Sequence, residues 1–307
     1  MSGSPKWFGH VNLNVRDLSR AEGFYRDMLG LSQVWRTAPS FDQSGAVFEI
    51  DEQVRWDGVL MGDDRGQRGP VLDVLQWQPA VPQDAITEPR YGHRWGLDRL
   101  LFEHPDLEEI EQRLRLHEFD VRRVDVVRDE QTTYVLHGRD PDGAHYEIRQ
   151  ADVPGIRFRG VRLNCSSIER SRSFYRRALK MTATDVSVAQ IGETTGQTCI
   201  MRFGGARDTF GVELWEPSPD VLLPRALSPG NHPGLYRMAL VTEDFQASLA
   251  LLADLLPEPA RVARVDIGAG AGFLDAVFFE DPDGAVVEFV EHGVVVASQR
   301  ATESAEV

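Results

Sequence analysis

The chain opens on a stretch in which polar and apolar positions alternate. From position 10 to position 15 every second residue is apolar, which is the period of a strand with one buried face. Asp17 follows as a helix N-cap, apolar residues then recur at helical spacing, and Gly30 is placed to end the helix in the left-handed conformation. Short apolar runs at residues 47–50, 58–61 and 71–77 predict three further strands. The pattern therefore predicts a β-α-β-β-β unit over residues 7–79.

Parts of this unit are repeated at three further places along the chain. Residues 160–164 and the pair Phe174-Tyr175 repeat the first strand and the Phe24-Tyr25 pair of unit one. The turn sequence Asp-Pro-Asp-Gly occurs at residues 140–143 and 281–284, each time before a closing strand. Units one and three match, as do units two and four, so the predicted units cover 7–79, 95–150, 157–217 and 233–293. We expect two domains, at 1–152 and 153–295, and a disordered tail at 296–307.

Composition narrows the class of partner. The 307 residues are 42% hydrophobic and 26% charged, as in globular proteins large enough for two domains. A net charge of −15 argues against nucleic acid or an anionic membrane as a partner, because both need a basic face. No apolar run approaches the roughly 20 residues of a membrane span, and the first residues lack an apolar signal-peptide core. Two cysteines, Cys165 and Cys199, fit a reducing compartment, so a cytoplasmic location is expected.

The motifs resemble those of one family. A unit that begins His-Val-x-Leu-x-Val-x-Asp-Leu, as residues 10–18 do, and a closing Asp-Pro-Asp-Gly-x-x-x-Glu are similar to the vicinal oxygen chelate superfamily. That superfamily includes glyoxalase I, extradiol dioxygenases, fosfomycin-resistance transferases and bleomycin-binding proteins. The resemblance covers residues 7–293 and implies an α+β fold. In it, four βαβββ units pair into two glyoxalase-like domains, each curled round a cleft.

The resemblance also implies positions for metal ligands. In metal-using members the ligands come from the first residue of the opening strand and from a Glu on the last strand of a unit. These positions hold, in chain order, His10 with Asp73 or Gln76, Arg99 with Glu147, Gly160 with Glu213, and Arg237 with Glu288.

The ligand positions are only partly filled by donors. Glycine has no donor group and arginine is a permanent cation, so the C-terminal half lacks the set that iron-dependent ring cleavage requires. In the N-terminal half, His10 and Glu147, with Asp73 or Gln76, could hold divalent iron, manganese, zinc or nickel. The alternative is that His10 is a polar lining residue, hydrogen-bonded to Glu147 or Arg99.

Two arginines suggest a chemistry without a metal. Strand alternation is expected to place Arg99 in one cleft, with His10, Asn12, His145, Glu147 and Arg149. It is expected to place Arg237 in the other cleft, with Arg162, Asn164, Glu213 and Glu288. Such an arginine can bind a carboxylate, enolate or phenolate oxygen with two hydrogen bonds, or it can simply pair with the facing glutamate. His10 and His145 near Glu147 could act as an acid/base pair.

Two functions remain open. The first is an enzyme that converts a small oxygen-rich or aromatic substrate, with an incomplete ligand set that permits metal-independent chemistry. Its catalytic candidates are His10, Arg99, Glu147, Arg237 and Glu288. Its substrate-binding candidates are Asn12, Trp77, His145, Arg149, Arg162, Asn164, Glu213 and Trp215. The second is a non-catalytic protein that sequesters an aromatic compound between clefts lined by Trp77 and Trp215, although packing is the commoner role of such rings. Either would act as a monomer or homodimer on a small molecule.

Overall fold

The computed structural model describes residues 5, 7–66, 69–80, 95–203, 210–218, 229–268 and 272–291. Unit one contains β1 (Trp7–Asn14), α1 (Leu18–Gly23), a π-helical turn (Phe24–Met28), β2 (Ser32–Thr37), β3 (Gln43–Ser44), a 3-10 turn (Ala46–Phe48), β4 (Gln53–Gly62) and β5 (Val71–Gln78). Unit two contains β6 (Gly96–His104), α2 (Leu107–Leu116), β7 (Val121–Arg128), β8 (Gln131–Arg139) and β9 (His145–Gln150). Unit three contains β10 (Arg157–Asn164), α3 (Ile168–Ala178), β11 (Thr182–Ala183), β12 (Ser187–Ile191), β13 (Thr194–Arg202) and β14 (Gly211–Pro217). Unit four contains β15 (Gly234–Thr242), α4 (Phe245–Ala253), β16 (Arg261–Gly268), β17 (Gly272–Glu280) and β18 (Val286–Glu291).

Each helix begins where its capping residue predicts. The side chains of Asp17, Asp106, Ser167 and Asp244 each accept a hydrogen bond from a backbone N–H in the first helical turn. Gly30 adopts φ +76° just after the first helix region, as expected for a left-handed helix end. One predicted strand is wrong, because the run at residues 47–50 forms the 3-10 turn and its exit. A short apolar run cannot by itself distinguish a strand from a buried turn.

The sheets join units from opposite halves of the chain. One nine-stranded sheet is built from units one and four, with β1 antiparallel to β15. The other nine-stranded sheet is built from units two and three, with β6 antiparallel to β10. The expectation that the two units of one half curl round a shared cleft is therefore wrong. The opening strands of all four units carry the same pattern, so the pattern gives no information about which two lie side by side.

Units of the same half pack through their helical sides instead. The Tyr25 hydroxyl donates to Asp140 Oδ2 at 3.0 Å, and the Tyr175 hydroxyl donates to Asp281 Oδ2 at 2.9 Å. The other oxygen of Asp140 accepts the backbone N–H groups of Asp142 and Ala144, which shapes the turn. The Phe-Tyr and Asp-Pro-Asp-Gly motifs thus join unit one to unit two and unit three to unit four.

Apolar side chains fill both faces of the first sheet. One large buried cluster lies between the sheets and the helices and includes Val11, Leu13, Tyr25 and Leu100. A second, smaller cluster covers the opposite face of the sheet of units one and four and is rich in aromatic rings. No helix within the described ranges is long and apolar enough to cross a membrane. The predicted tail at 296–307 lies outside the described residues.

Candidate functional site

Four predicted ligand positions meet in what we call the first cleft, on the aromatic face of the sheet of units one and four. They hold His10 on β1, Asp73 on β5, Arg237 on β15 and Glu288 on β18. The parallel register sets Asp73 opposite Asn12 and Glu288 opposite Ala239, two residues beyond His10 and Arg237 respectively. This equivalence selects Asp73 over Gln76, whose side chain instead accepts the Leu18 backbone N–H at 2.9 Å.

The four side chains of the first cleft are in polar contact. Arg237 Nε donates to Glu288 Oε2 at 2.7 Å, and Arg237 Nη2 lies 3.5 Å from Asp73 Oδ2. His10 Nε2 lies 3.4 Å from the same Glu288 oxygen and 3.7 Å from Asp73 Oδ2. Asn12 Nδ2 donates to the Asp73 backbone carbonyl at 3.1 Å. One guanidinium and one imidazole therefore face two buried carboxylates.

Burial and neighbouring charge separate the two carboxyls. Burial raises the pKa of Asp73, and its neighbours His10 and Arg237 offset that effect only in part. Burial also acts to raise the pKa of Glu288, but Arg237 and then His10 outweigh it and lower that pKa to about 2. Glu288 is therefore the permanent anion that holds Arg237. Asp73 is the carboxyl that gains a proton more readily.

The residues of the first cleft do not fit a divalent metal. Arg237 takes the fourth ligand position and already donates to Glu288, so a cation there would lie against a fixed positive charge. Within the described ranges, no group of three His, Cys, Asp or Glu side chains could hold a metal ion. The predicted pairing of His10 with Glu147 is wrong, because β1 and β9 belong to different sheets.

Aromatic rings surround these charges. Phe48 lies 5.1 Å from Trp77 and 5.4 Å from Phe278, measured between ring centroids, and Trp56 lies 5.2 Å from Trp77. Trp77 is only 3% exposed, and its indole N–H donates to Asn14 Oδ1 at 2.8 Å. Packing is thus the role that the structure gives to Trp77, rather than an open stacking surface at the rim.

The remaining predicted site residues meet in what we call the second cleft, in the sheet of units two and three. Two arginines there bridge two glutamates. Arg149 Nη2 lies 2.6 Å from both Glu147 Oε1 and Glu213 Oε2. Arg162 Nη2 lies 3.0 Å from Glu147 Oε2 and 2.8 Å from Glu213 Oε2. Because Glu147 belongs to unit two and Glu213 to unit three, these ion pairs tie the two halves together.

His137 also belongs to the second cleft, although it was not among the residues predicted from the sequence. Its Nε2 lies 2.8 Å from Glu147 Oε2, and Arg99 Nη1 lies 3.1 Å from its Nδ1 and 3.0 Å from its Nε2. Burial lowers the pKa of His137 despite the neighbouring carboxylate. The signal was present in the hairpin, since counting back from the Asp-Pro-Asp-Gly turn sets His137 opposite Glu147.

Four arginines of the second cleft face three carboxylates. Arg99 Nε donates to Asp98 Oδ2 at 2.6 Å, and Arg128 Nη2 lies 3.5 Å from Glu213 Oε1, in addition to the ion pairs of Arg149 and Arg162. Burial lowers the pKa of His145 to about 4, so this histidine is neutral near pH 7. It lies in a different sheet from His10, so the predicted His10–His145 acid/base pair does not form.

The last predicted residues of the second cleft are also packed away. Asn164 is buried, and so is Trp215, with the Arg162 guanidinium carbon 5.8 Å from its ring centroid. At Gly160, which corresponds to His10, a Cβ atom would lie 2.1 Å from the Gly211 carbonyl oxygen. No larger side chain fits there without a backbone shift. The geometry thus leaves the first cleft as the candidate active site.

Comparison with known proteins identifies the family. The sequence model of the Glyoxalase/Bleomycin resistance protein/Dioxygenase superfamily matches residues 7–148 and 157–289, and the chain belongs to this superfamily. Among curated proteins, none matches the chain significantly.

Solved structures show the same fold at low sequence identity. Glyoxalase I from Zea mays is 17% identical, with a TM-score of 0.63 and 94% of each chain covered. A single-residue variant of that enzyme gives a TM-score of 0.68 at 16% identity, covering 94% of this chain and 95% of the other. A putative dioxygenase from Bacillus subtilis is 15% identical, with a TM-score of 0.61, covering 94% of this chain and 86% of the other. At these identities the likeness shows the fold alone.

Proposed function

We propose that the protein is an enzyme that performs acid/base chemistry on a small oxygen-bearing substrate in the first cleft, without a metal. One observation carries the proposal: Arg237, 6% exposed, occupies a ligand position between two carboxylates. Among contacts of the described residues, its Nη1 has no hydrogen-bond partner. A buried guanidinium nitrogen without a partner is costly, and an anionic oxygen of a substrate would satisfy it.

The neighbours of Arg237 supply the proton transfer. In the proposed reaction Arg237 Nη1 binds the oxygen on which negative charge develops, and Glu288 holds the guanidinium in place. His10 Nε2 accepts the proton that leaves the substrate. Glu288, whose pKa is lowered to about 2, lies 3.4 Å from that nitrogen and stabilises the imidazolium, with Asp73 at 3.7 Å beside it. The substrate class that fits is a carbonyl compound able to form an enolate, or an aryl acid or phenol.

A second function is favoured by a different observation. The first cleft is walled by the buried aromatic cluster of Phe48, Trp56, Trp77 and Phe278, which suits retention of an aromatic compound as well as its conversion. A sequestering protein would use Arg237 as an anchor for its ligand and would not need His10 as a base.

Turnover separates the two functions. We would screen small carbonyl compounds and aryl acids for solvent-deuterium incorporation or conversion by NMR. The proposal expects His10→Ala to reduce the rate by about 10²–10⁴-fold, the usual contribution of a general base. His117→Ala, at the exposed end of α2, is the matched control and should retain the wild-type rate. A ligand that binds equally well to wild-type protein and His10→Ala, with no turnover in either, would favour sequestration.

The metal content of the purified protein tests whether the proposed reaction is independent of a metal. Inductively coupled plasma mass spectrometry on untagged protein should find less than stoichiometric iron, manganese, zinc and nickel, with turnover insensitive to EDTA. One equivalent of metal that disappears in His10→Ala would overturn it.

We also propose that the protein acts as a monomer in the cytoplasm. Both clefts are completed within one chain, which supports a monomer. Cys165 and Cys199 are free and buried, which supports a cytoplasmic location.

A further inference from the structure

We infer that the ring of Phe48 occupies the place of the substrate's own aromatic ring, and that its loop is a gate. The substrate class that follows is an aryl carboxylate or phenolate. This inference rests on the proposed role of Arg237 as the anchor for an anionic oxygen.

Phe48 lies where such a ring would bind. It is 1% exposed and packs against Trp56, Trp77 and Phe278 on the cleft face of the sheet. The Arg237 guanidinium carbon lies 5.7 Å from the centroid of the Phe48 ring. A planar ring in this place, with a carboxylate directed at Arg237 Nη1, would satisfy both the aromatic wall and the partnerless nitrogen.

The loop that carries Phe48 can move without breaking the sheet. Its base is closed on itself, since Gly45 N donates to Glu52 O at 3.0 Å and Ile50 N donates to Gly45 O at 3.1 Å. Phe48 lies in a 3-10 turn and not in a strand, and Glu49 after it adopts φ +60°. A left-handed residue other than glycine carries a conformational cost.

Two polar contacts, which we call latches, hold the loop in place. One joins it to Gly230, just before unit four, and the other joins it to Arg261 on β16. The Gly230 backbone N–H donates to the Phe48 carbonyl at 2.8 Å, and Glu49 Oε1 lies 2.5 Å from Arg261 Nη1. At Gly230 a Cβ atom would lie 2.5 Å from that Phe48 carbonyl oxygen. A Cβ atom there would also lie 2.8 Å from Tyr236 Cζ, so a side chain at position 230 pushes against both the loop and the Tyr236 ring. The substitution offers a way to unlatch the loop without changing a charged residue.

Benzoate is the probe for the test, with benzamide as the uncharged analogue and cyclohexanecarboxylate as the non-aromatic one. Binding is measured by calorimetry and by quenching of Trp56 and Trp77, which contact Phe48. We expect Gly230→Ala to bind benzoate up to about tenfold more tightly than wild type, the largest gain possible if the wild-type gate is open about a tenth of the time. Gly155→Ala, where a Cβ atom meets nothing within 4 Å, is the matched control and should bind like wild type.

Three further measurements fix the interpretation. Phe48→Ala should also gain benzoate affinity, with little affinity for benzamide or cyclohexanecarboxylate, and Arg237→Gln in that background should lose the gain. If Gly230→Ala does not fold, Arg261→Gln removes the second latch without adding bulk, with Arg264→Gln on the same strand as its control. Folded Gly230→Ala or Arg261→Gln that binds benzoate no better than its control would overturn the inference and leave Phe48 a core residue. Equal gains for all three probes would also overturn it, since they would show only a filled cavity.

The experiments can reject the gate and the proposed chemistry independently of each other. Gated benzoate binding without any turnover would keep the gate and reject the enzyme. Turnover that depends on His10 but is unchanged in Gly230→Ala and Arg261→Gln would keep the enzyme and reject the gate.

Discussion

At the scale of single residues, Arg237 decides what the first cleft can bind. It contributes a fixed positive charge to a group of side chains that otherwise contains one imidazole and two carboxylates. We predict that Arg237→His creates a divalent metal site, because the substitution removes the cation and adds a second imidazole. Titration with Zn²⁺ by calorimetry should show one equivalent bound by the variant and none by the wild type. Arg264→His, on β16, controls for nonspecific binding of Zn²⁺ by an added histidine. Equal Zn²⁺ uptake by the wild type would contradict the prediction.

The same residues show what the sequence can say about a site. Counting back from the helix cap identifies His10 and Arg237 as equivalent positions, because the strand-to-cap spacing is local and repeats in each unit. It cannot show that His10 faces Glu288 rather than Glu147, since that depends on which opening strands pair across a separation of more than two hundred residues. The sequence fails to identify Phe48 as a site residue for another reason. A large apolar residue in a turn cannot be distinguished by sequence from a residue of a strand.

At the scale of elements, the Asp-Pro-Asp-Gly turns carry a buried acid. Burial, and then the neighbouring Asp142, raises the pKa of Asp140 from its ordinary 3.8 to about 7, although backbone N–H donors oppose the shift. The folded protein therefore holds a proton between about pH 4 and 7 that the unfolded chain releases. The contribution of Asp140 to stability thus falls as pH rises through that window, by about 1.4 kcal/mol for each pKa unit.

We predict that Asp140→Asn lowers the free energy of unfolding less at high pH than at low pH. Asparagine keeps an acceptor for the turn N–H groups and can donate to the Tyr25 hydroxyl, but it has no ionisation to suppress. The stability cost of the substitution should be larger at pH 5 than at pH 8, by more than 1 kcal/mol. Urea unfolding of wild type and variant at both pH values measures it. Taking the difference between the proteins cancels the opposite trend from His137 and His145, whose pKa values are lowered. A cost that does not change with pH would show that Asp140 is ionised at pH 5.

The helix boundaries were predictable because their signals are local. Four N-caps and the Asp-Pro-Asp-Gly turns each act through backbone groups within a few residues, so the sequence is enough to place them. The role of Tyr25 was not predictable in this way. Its partner Asp140 lies in another unit, and the repeat of both motifs only shows that they belong together.

At the scale of the whole molecule, the two halves of the chain complete each other's sheets. β1 pairs with β15, β6 pairs with β10, and the buried ion pairs of Arg162 with Glu147 cross the same boundary. Separating the halves would expose the edges of two long strands and leave Glu147 without one of its arginines. The catalytic candidates would be separated as well, because His10 and Asp73 belong to one half and Arg237 and Glu288 to the other.

We therefore predict that residues 1–152 and 153–307 form a one-to-one complex when coexpressed as separate chains. Expressed alone, residues 1–152 should dimerise or aggregate, because a second copy of the same half is the nearest substitute for the missing opening strands. Size-exclusion chromatography with light scattering measures the masses, and hydrogen exchange of β1 and β6 reports whether their edges are paired. The intact chain under the same conditions supplies the reference masses and exchange rates. If residues 1–152 alone form a stable monomer with β1 and β6 protected as in the intact chain, the edges do not need the other half, and the first cleft would have to be reconsidered as a site shared between halves.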